Sequence, residues 1–335
     1  MFNKRKILFV IPVIILCIAL LSGVTVAYSQ AFAENEYVYL GGNPIGIVAQ
    51  SKNLIVEELV NVITKQGSYS PALRAGLKKG DIIVEVNGQS VSDVKTLNDN
   101  VNNLDKLLIT VIRNDKTVTV EIIPETDLTL NTKKIGLIVK DSVAGIGTMT
   151  YTTKNGRFYA LGHQIIDAYG NGEIYQTGNI YGCEIFGYNK ARESSAGELK
   201  GKINFDEGVI GEIKSNKFYG ISGKSLIDSD NEVLIKKSNR NNVHPGKAEI
   251  YTTIDGEKAS KYEIEIIRTF KQNAKAEKSM VIRVTDKKLL DTTGGILQGM
   301  SGSPIVQDGK LVGAVTHVLT NDSRMGYGIY VDWME

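Results

Sequence analysis

The sequence is poor in the residues on which disulfide, metal and nucleic-acid proteins depend. Its 335 residues include two cysteines, Cys17 and Cys183, and the first lies inside an apolar N-terminal run. An intramolecular disulfide is therefore not expected, and no Cys/His spacing suits zinc. Three histidines, His163, His244 and His317, leave few ligands for a metal and few candidates for a general base. No metal or cofactor is expected. The formal charge is only +2, with Lys/Arg and Asp/Glu interspersed, so the basic stripe of a nucleic-acid partner is missing. With six prolines and 42% hydrophobic residues, no large tract has a disordered composition. The length suggests two domains plus an appendage, each standing on its own core.

The appendage is N-terminal. Lys4-Arg5-Lys6 precede an uncharged, mainly apolar run of 22 residues from Ile7 to Tyr28, enough as a helix to cover the ~30 Å of a bilayer's hydrocarbon. The positive flank predicts a cytoplasmic N-terminus with everything after Tyr28 on the far side. Ala31-Phe32-Ala33 also resembles a signal-peptidase site. Residues 1–33 are thus assigned to a signal anchor, and export follows from either reading.

Residues 36–125 have the pattern of a compact α/β module. Ile45–Gln50 and Asn53–Ile63 are predicted strands, and Pro71 to Leu77 a short helix before the turn Lys78-Lys79-Gly80-Asp81. A strand at Ile82–Val86 ends on the hairpin signal Asn87-Gly88. Val94, Leu97, Val101 and Leu104 mark one helical face within Asp93–Leu104, and Leu107–Arg113 and Lys116–Ile123 form a closing hairpin. The stretches Ser70-Pro71-Ala72, Ala75-Gly76-Leu77-Lys78-Lys79-Gly80-Asp81-Ile82-Ile83 and Val86-Asn87-Gly88 resemble the PDZ domains associated with bacterial proteases. That resemblance implies a groove that takes an extended peptide by strand addition. It also puts Pro44, Ile45, Gly46 and Ile47 at the loop that binds a peptide's terminal carboxylate.

From residue 133 onward the chain turns to short, β-branched, Gly-punctuated runs. Strands are predicted at 135–139, 145–152, 157–161, 233–236, 248–253, 262–269, 280–284, 311–318 and 326–331. This pattern argues for a β-barrel or sandwich over residues 133–335. Within it, Gly299-Met300-Ser301-Gly302-Ser303-Pro304 sets a serine on a tight turn, where the N–H groups of Gly299 and Ser301 can converge as an oxyanion hole. A serine hydroxyl needs a base, usually an imidazole oriented by a carboxylate. His163 ends a strand beside Gly162 and suits that part. His244, before Pro245, suits a solvated loop, and His317, in an apolar strand, suits a packed and hydrogen-bonded ring. Asp286, Asp291, Asp167 and Asp206 are all candidates for the acid, with Asp286 favoured by its place after a strand and 15 residues before Ser301.

The Gly-x-Ser-Gly-x-Pro loop, the hairpin after it and the order His, Asp, Ser resemble chymotrypsin-like serine peptidases, although Ser303 stands where that pattern has glycine. An anchor, one PDZ domain and then this peptidase domain resemble the stage IV sporulation protein B peptidases of endospore-forming bacteria. The likeness is sharpest at Leu161-Gly162-His163, Thr285-Asp286 and Gln298 to Pro304. It implies the triad His163, Asp286 and Ser301 on a mainly β chain: a membrane-spanning helix, an α/β PDZ domain and a chymotrypsin-like β-barrel. It further implies self-cleavage near the N-terminus and cutting of a membrane-bound regulator in sporulation signalling, from the space between forespore and mother cell. A PDZ scaffold that binds exported peptide tails without catalysis is the alternative.

Overall fold

The computed structural model describes residues 36–192, 195–228, 233–319 and 321–335. The expected membrane span, residues 7–28, lies outside the described residues. Among those described, no helix is long and apolar enough to cross a membrane.

The chain is mainly β, and its axis is a long strand, β1 (Pro44–Leu59). Sequence reading breaks this strand at Ser51-Lys52, within the polar triplet Ser51-Lys52-Asn53. The polar triplet instead forms a bulge, closed by a hydrogen bond from Asn53 N–H to Ser51 Oγ (3.1 Å), and the strand continues. Next comes the PDZ lobe. Its first helix, α1 (Pro71–Arg74), has Ser70 as N-cap and proline at its first turn. It is a turn shorter than predicted because Gly76 takes a φ of +95°. Strand β2 (Ile82–Val86) leads to α2 (Val94–Asn103), capped by Asp93 and burying Leu97 and Val101. The hairpin β3 (Leu107–Arg113) and β4 (Lys116–Ile122) follows. Asp81, 1% exposed, receives a two-pronged Arg113 guanidinium at 2.6 Å on each oxygen and ties β3 to the turn before β2.

A second long strand, β5 (Leu137–Thr153), pairs antiparallel with β1 from Leu59 to Pro44. Sequence reading sees only its two ends, Ile135–Val139 and Gly145–Thr152, because Lys140-Asp141-Ser142 interrupts the apolar pattern. Ile135, Leu137 and Val139 complete the PDZ core beside Leu54, Val56, Leu97 and Val101. Further along, β5 is joined by β6 (Arg157–Ala160), β7 (Thr177–Asn189), β8 (Val209–Lys217) and β9 (Gly220–Ser225). The pairings β5–β6, β6–β9, β9–β8, β8–β7, β7–β1 and β1–β5 return to their start. This ring surrounds Ile45, Ile47, Phe158, Leu161, Ile180 and Ile213.

A second ring is made by β10 (Gly246–Thr252), β11 (Ser260–Thr269), β12 (Met280–Val284), β13 (Pro304–Gln307), β14 (Lys310–Leu319) and β15 (Asp322–Tyr330). Its pairings run β10–β11, β11–β12, β12–β15, β15–β14, β14–β13 and β13–β10. A short helix, α3 (Lys287–Thr293), leads from β12 toward β13. Cys183 is a free, buried thiol, and burial pushes it up to about 11.

Candidate active site

The loop between α3 and β13 carries Ser301 between two glycines with φ of +96° (Gly299) and +97° (Gly302). At Gly302 the requirement is absolute. A Cβ there would lie 2.1 Å from Thr148 O and 2.6 Å from Leu161 N. The loop is stitched to the first ring by Thr148, whose N–H donates to Ser301 O (2.9 Å) and whose Oγ1 donates to Gly299 O (3.0 Å). The N–H groups of Gln298, Met300, Gly302 and Ser303 all donate to carbonyls. Those of Gly299 and Ser301, the two expected to hold an oxyanion, make no such bond among the described residues.

His163 follows β6 after Leu161 (φ +67°) and Gly162 (φ +72°). A buried leucine in the left-handed region is costly, and such strain gathers at functional sites. The ring's Nδ1 lies 2.9 Å from Gln164 O. A carbonyl can only accept, so Nδ1 carries the proton and Nε2 is left as the basic nitrogen. Ser301 and His163 line one cleft of about 680 Å³ between the rings, with largely apolar walls that include Ile146, Leu161, Phe218 and Leu297. The hydroxyl of Ser301 donates to Thr316 O (2.7 Å), so the serine–histidine hydrogen bond is not formed in this conformation.

His317 is not the packed, hydrogen-bonded ring that its apolar strand suggests. It lines the same cleft, its centroid 5.1 Å from that of His163. Its Nδ1 is buried with no hydrogen-bond partner among the described residues, and Nε2 is 3.5 Å from Glu277 Oε1. Burial, then the neighbouring His163 and Lys278, push its pKa down to about 4. Glu277 is the acidic residue among the cleft's lining side chains. Nothing in the sequence marks it, since it sits among polar residues before β12.

Asp286 is placed differently from expectation. It caps α3, accepting from Leu289 N–H (2.9 Å) on one oxygen and Glu263 N–H (3.3 Å) on the other, and it does not line the cleft. The structure therefore brings His163 and Ser301 together without Asp286. Asp167 organises its own loop by accepting from the N–H groups of Tyr169 and Asn171 (both 2.9 Å). Asp291 offers only its carbonyl, to Lys190, and Asp206 sits exposed in a short 3-10 turn. His244 is exposed beside Asp308, as a loop residue should be.

Pro44 to Ile47 require a second correction. They are buried at the start of β1, where Pro44 pairs with Thr148 of β5 and Ile45 to Ile47 have β5 on one edge and β7 on the other: Ile47 pairs with both Gly145 and Ile180. Their backbone has no free edge for a peptide carboxylate. The PDZ groove is elsewhere, a cavity of about 420 Å³ between α2 and the start of β5.

A compact α/β module joined to two strand rings, with a serine loop facing a histidine across the seam, defines a peptidase with an attached PDZ domain. Comparison with protein families agrees: the PDZ domain model matches residues 45–123, and the SpoIVB peptidase S55 model matches residues 131–335. The chain belongs to the SpoIVB peptidase S55 family. No curated protein matches it.

Proposed function

We propose that this peptidase is a serine endopeptidase, exported and held at the membrane through residues 7–28, that cuts itself near the N-terminus and cleaves a membrane-bound regulator in sporulation signalling, upstream of sigma-factor activation. The two closed rings of strand pairings support a chymotrypsin-like pair of barrels. The observation that carries the catalytic reading is the seam itself: Ser301 and its two unengaged amides belong to one ring, and a tautomer-fixed His163 belongs to the other. Membership of the family supports the sporulation setting, and the apolar N-terminal run supports export.

In this mechanism, an arriving peptide carbonyl turns the Ser301 hydroxyl from Thr316 O toward His163 Nε2, which takes the proton as Oγ attacks. The Gly299 and Ser301 N–H groups hold the developing oxyanion, where each such donor contributes about 3 kcal/mol. The Gln164 carbonyl keeps Nδ1 protonated throughout and stabilises the imidazolium less than a carboxylate would. His163 then protonates the leaving amine, and water resolves the acyl-enzyme. The non-catalytic scaffold is the second reading, because among the described residues no carboxylate bonds the His163 ring and the Ser301 hydroxyl is engaged by Thr316 O. Intact mass over time, for residues 36–335 and the full chain beside Ser301→Ala, separates the two. Fragments from the parent but not the variant are the expected outcome; equal fragmentation of both sinks the serine assignment.

A further inference from the structure

Strand β5 has two edges, and they are used very differently. One pairs with β1 from Leu137 to Thr148. The other has a strand partner, β6, only from Met149 onward, so between Leu137 and Gly147 it is unpaired among the described residues. Open edges normally carry lysines, prolines or covering loops that prevent pairing with another chain. Here residues 142–147 read Ser-Val-Ala-Gly-Ile-Gly, with Ala144 and Gly145 exposed. Lys140 does not guard the edge, because its ammonium is drawn onto Glu57 of β1 at 2.6 Å.

Two cavities lie on this one edge. At its start, Gly136–Val139 face α2 across the PDZ groove, with Leu97 and Val101 as floor. At its far end, Val143–Ile146 form a wall of the cleft that holds Ser301, immediately before Thr148 clasps the serine loop. Lys134 lines the groove at the end where β5 begins, together with Asp127, whose carboxylate is already accepting from Thr129 and Leu130 N–H.

We propose that the open edge of β5 is a continuous rail for one extended substrate polypeptide, which adds to it as an antiparallel strand. The free carboxyl end sits beside Lys134 in the PDZ groove, and the scissile bond sits at Ser301. This inference rests on the peptidase reading of the cleft. It makes the enzyme a ruler: from Leu137 to Ile146 is nine residue steps, or about 30 Å of extended chain at ~3.3 Å per residue. The piece released is therefore a C-terminal segment of roughly 8–11 residues.

The test uses the full chain, parent and Ser301→Ala, with a pool of mixed-sequence synthetic peptides of about 20 residues, long enough to span both cavities. Each peptide is supplied as free acid and as C-terminal amide. Mass spectrometry should find cuts clustered at the predicted distance from the carboxyl end. Amidation should slow them about tenfold, the effect of losing a charged hydrogen-bonding group, and Lys134→Ala should slow free acids but not amides. Cuts scattered without regard to the end, and indifferent to amidation, overturn the rail while leaving the peptidase intact. Absence of any cutting by the parent defeats the peptidase reading instead. Hydrogen exchange on Ser301→Ala with the same pool then decides the rail alone: joint slowing of amides in 137–139 and 143–146 sustains it, and slowing at one end or neither overturns it.

Discussion

The first ring encloses eight buried hydrophobic side chains, whereas a larger core, built mainly on the second ring and joined by Tyr151, Tyr159, Cys183 and Ile185 from strands of the first, runs on through Tyr330, Trp333 and Met334. The first contributes His163 and shares two of its strands with the PDZ lobe. The second contributes Ser301 and shares none among the described residues. Local stability follows buried apolar area, and Ser301 sits on the half with the larger core. The half that carries His163 and the open edge of β5 is the one a bound peptide can most readily adjust.

The largest effect that tests this division is at the two imidazoles facing each other in the cleft. His163→Ala should lower kcat by on the order of 10³–10⁴-fold, as loss of a general base does, while His317→Ala should cost about tenfold or less, in the range of a supporting contact. Steady-state kinetics on both variants checks this, and the reverse order would move the base from the first ring to the second. Next in size is Gly302→Ala, where the new methyl has no room against Thr148 O. It should destabilise the fold by roughly 2–5 kcal/mol through overpacking and a disfavoured φ, seen as a lowered midpoint in urea unfolding.

Asp286→Ala comes third. As a helix cap it should cost ~1 kcal/mol of stability and reduce kcat modestly; a fall near 10⁴-fold, the size expected for a triad acid, would show that this carboxylate leaves α3 and reaches His163 during turnover. The last effect is on pH. His317 sits at about 4 in the folded chain against about 6.5 when exposed. The unfolded chain therefore binds the proton first as pH falls. Stability should be whole above pH ~6.5 and decline toward pH ~4, and His317→Phe should flatten that decline in denaturant titrations at stepped pH.

The second ring was far more legible in the sequence than the first. Its strands at 248–253, 262–269, 280–284, 311–318 and 326–331 carry runs of Val and Ile that a period-two pattern reveals. The strands Thr177–Asn189, Val209–Lys217 and Gly220–Ser225 were invisible for a physical reason. Gly-Ile-Ser-Gly-Lys-Ser has one large apolar residue, and such strands are held by pairing on both edges rather than by their own hydrophobicity. Ser301 and His163 could be picked out because glycines flank them. Glu277 could not, since only the fold brings it to His317. Asp286 was not resolvable from the sequence, because a carboxylate before a helix serves equally well as a cap, and spacing along the chain cannot tell a cap from a triad member. Pro44–Ile47 misled likewise, because a strand with two partners and one with a free edge share the same residues.

The clasp between Thr148 and the serine loop bears on what happens to the chain before it is finished. Ser301 O, Gly299 O and Gly302 O accept from Thr148 N–H, Thr148 Oγ1 and Thr150 Oγ1 of the first ring, while Gly302 N–H donates to Val315 O in the second. Residues 148 and 301 are far apart in sequence, so a chain not yet folded as far as residue 301 has no seam and no clasped serine loop. On the proposed function, a protease that must close both halves before it can cut would be safe to translocate, and its first cleavage would double as a report that both halves have closed.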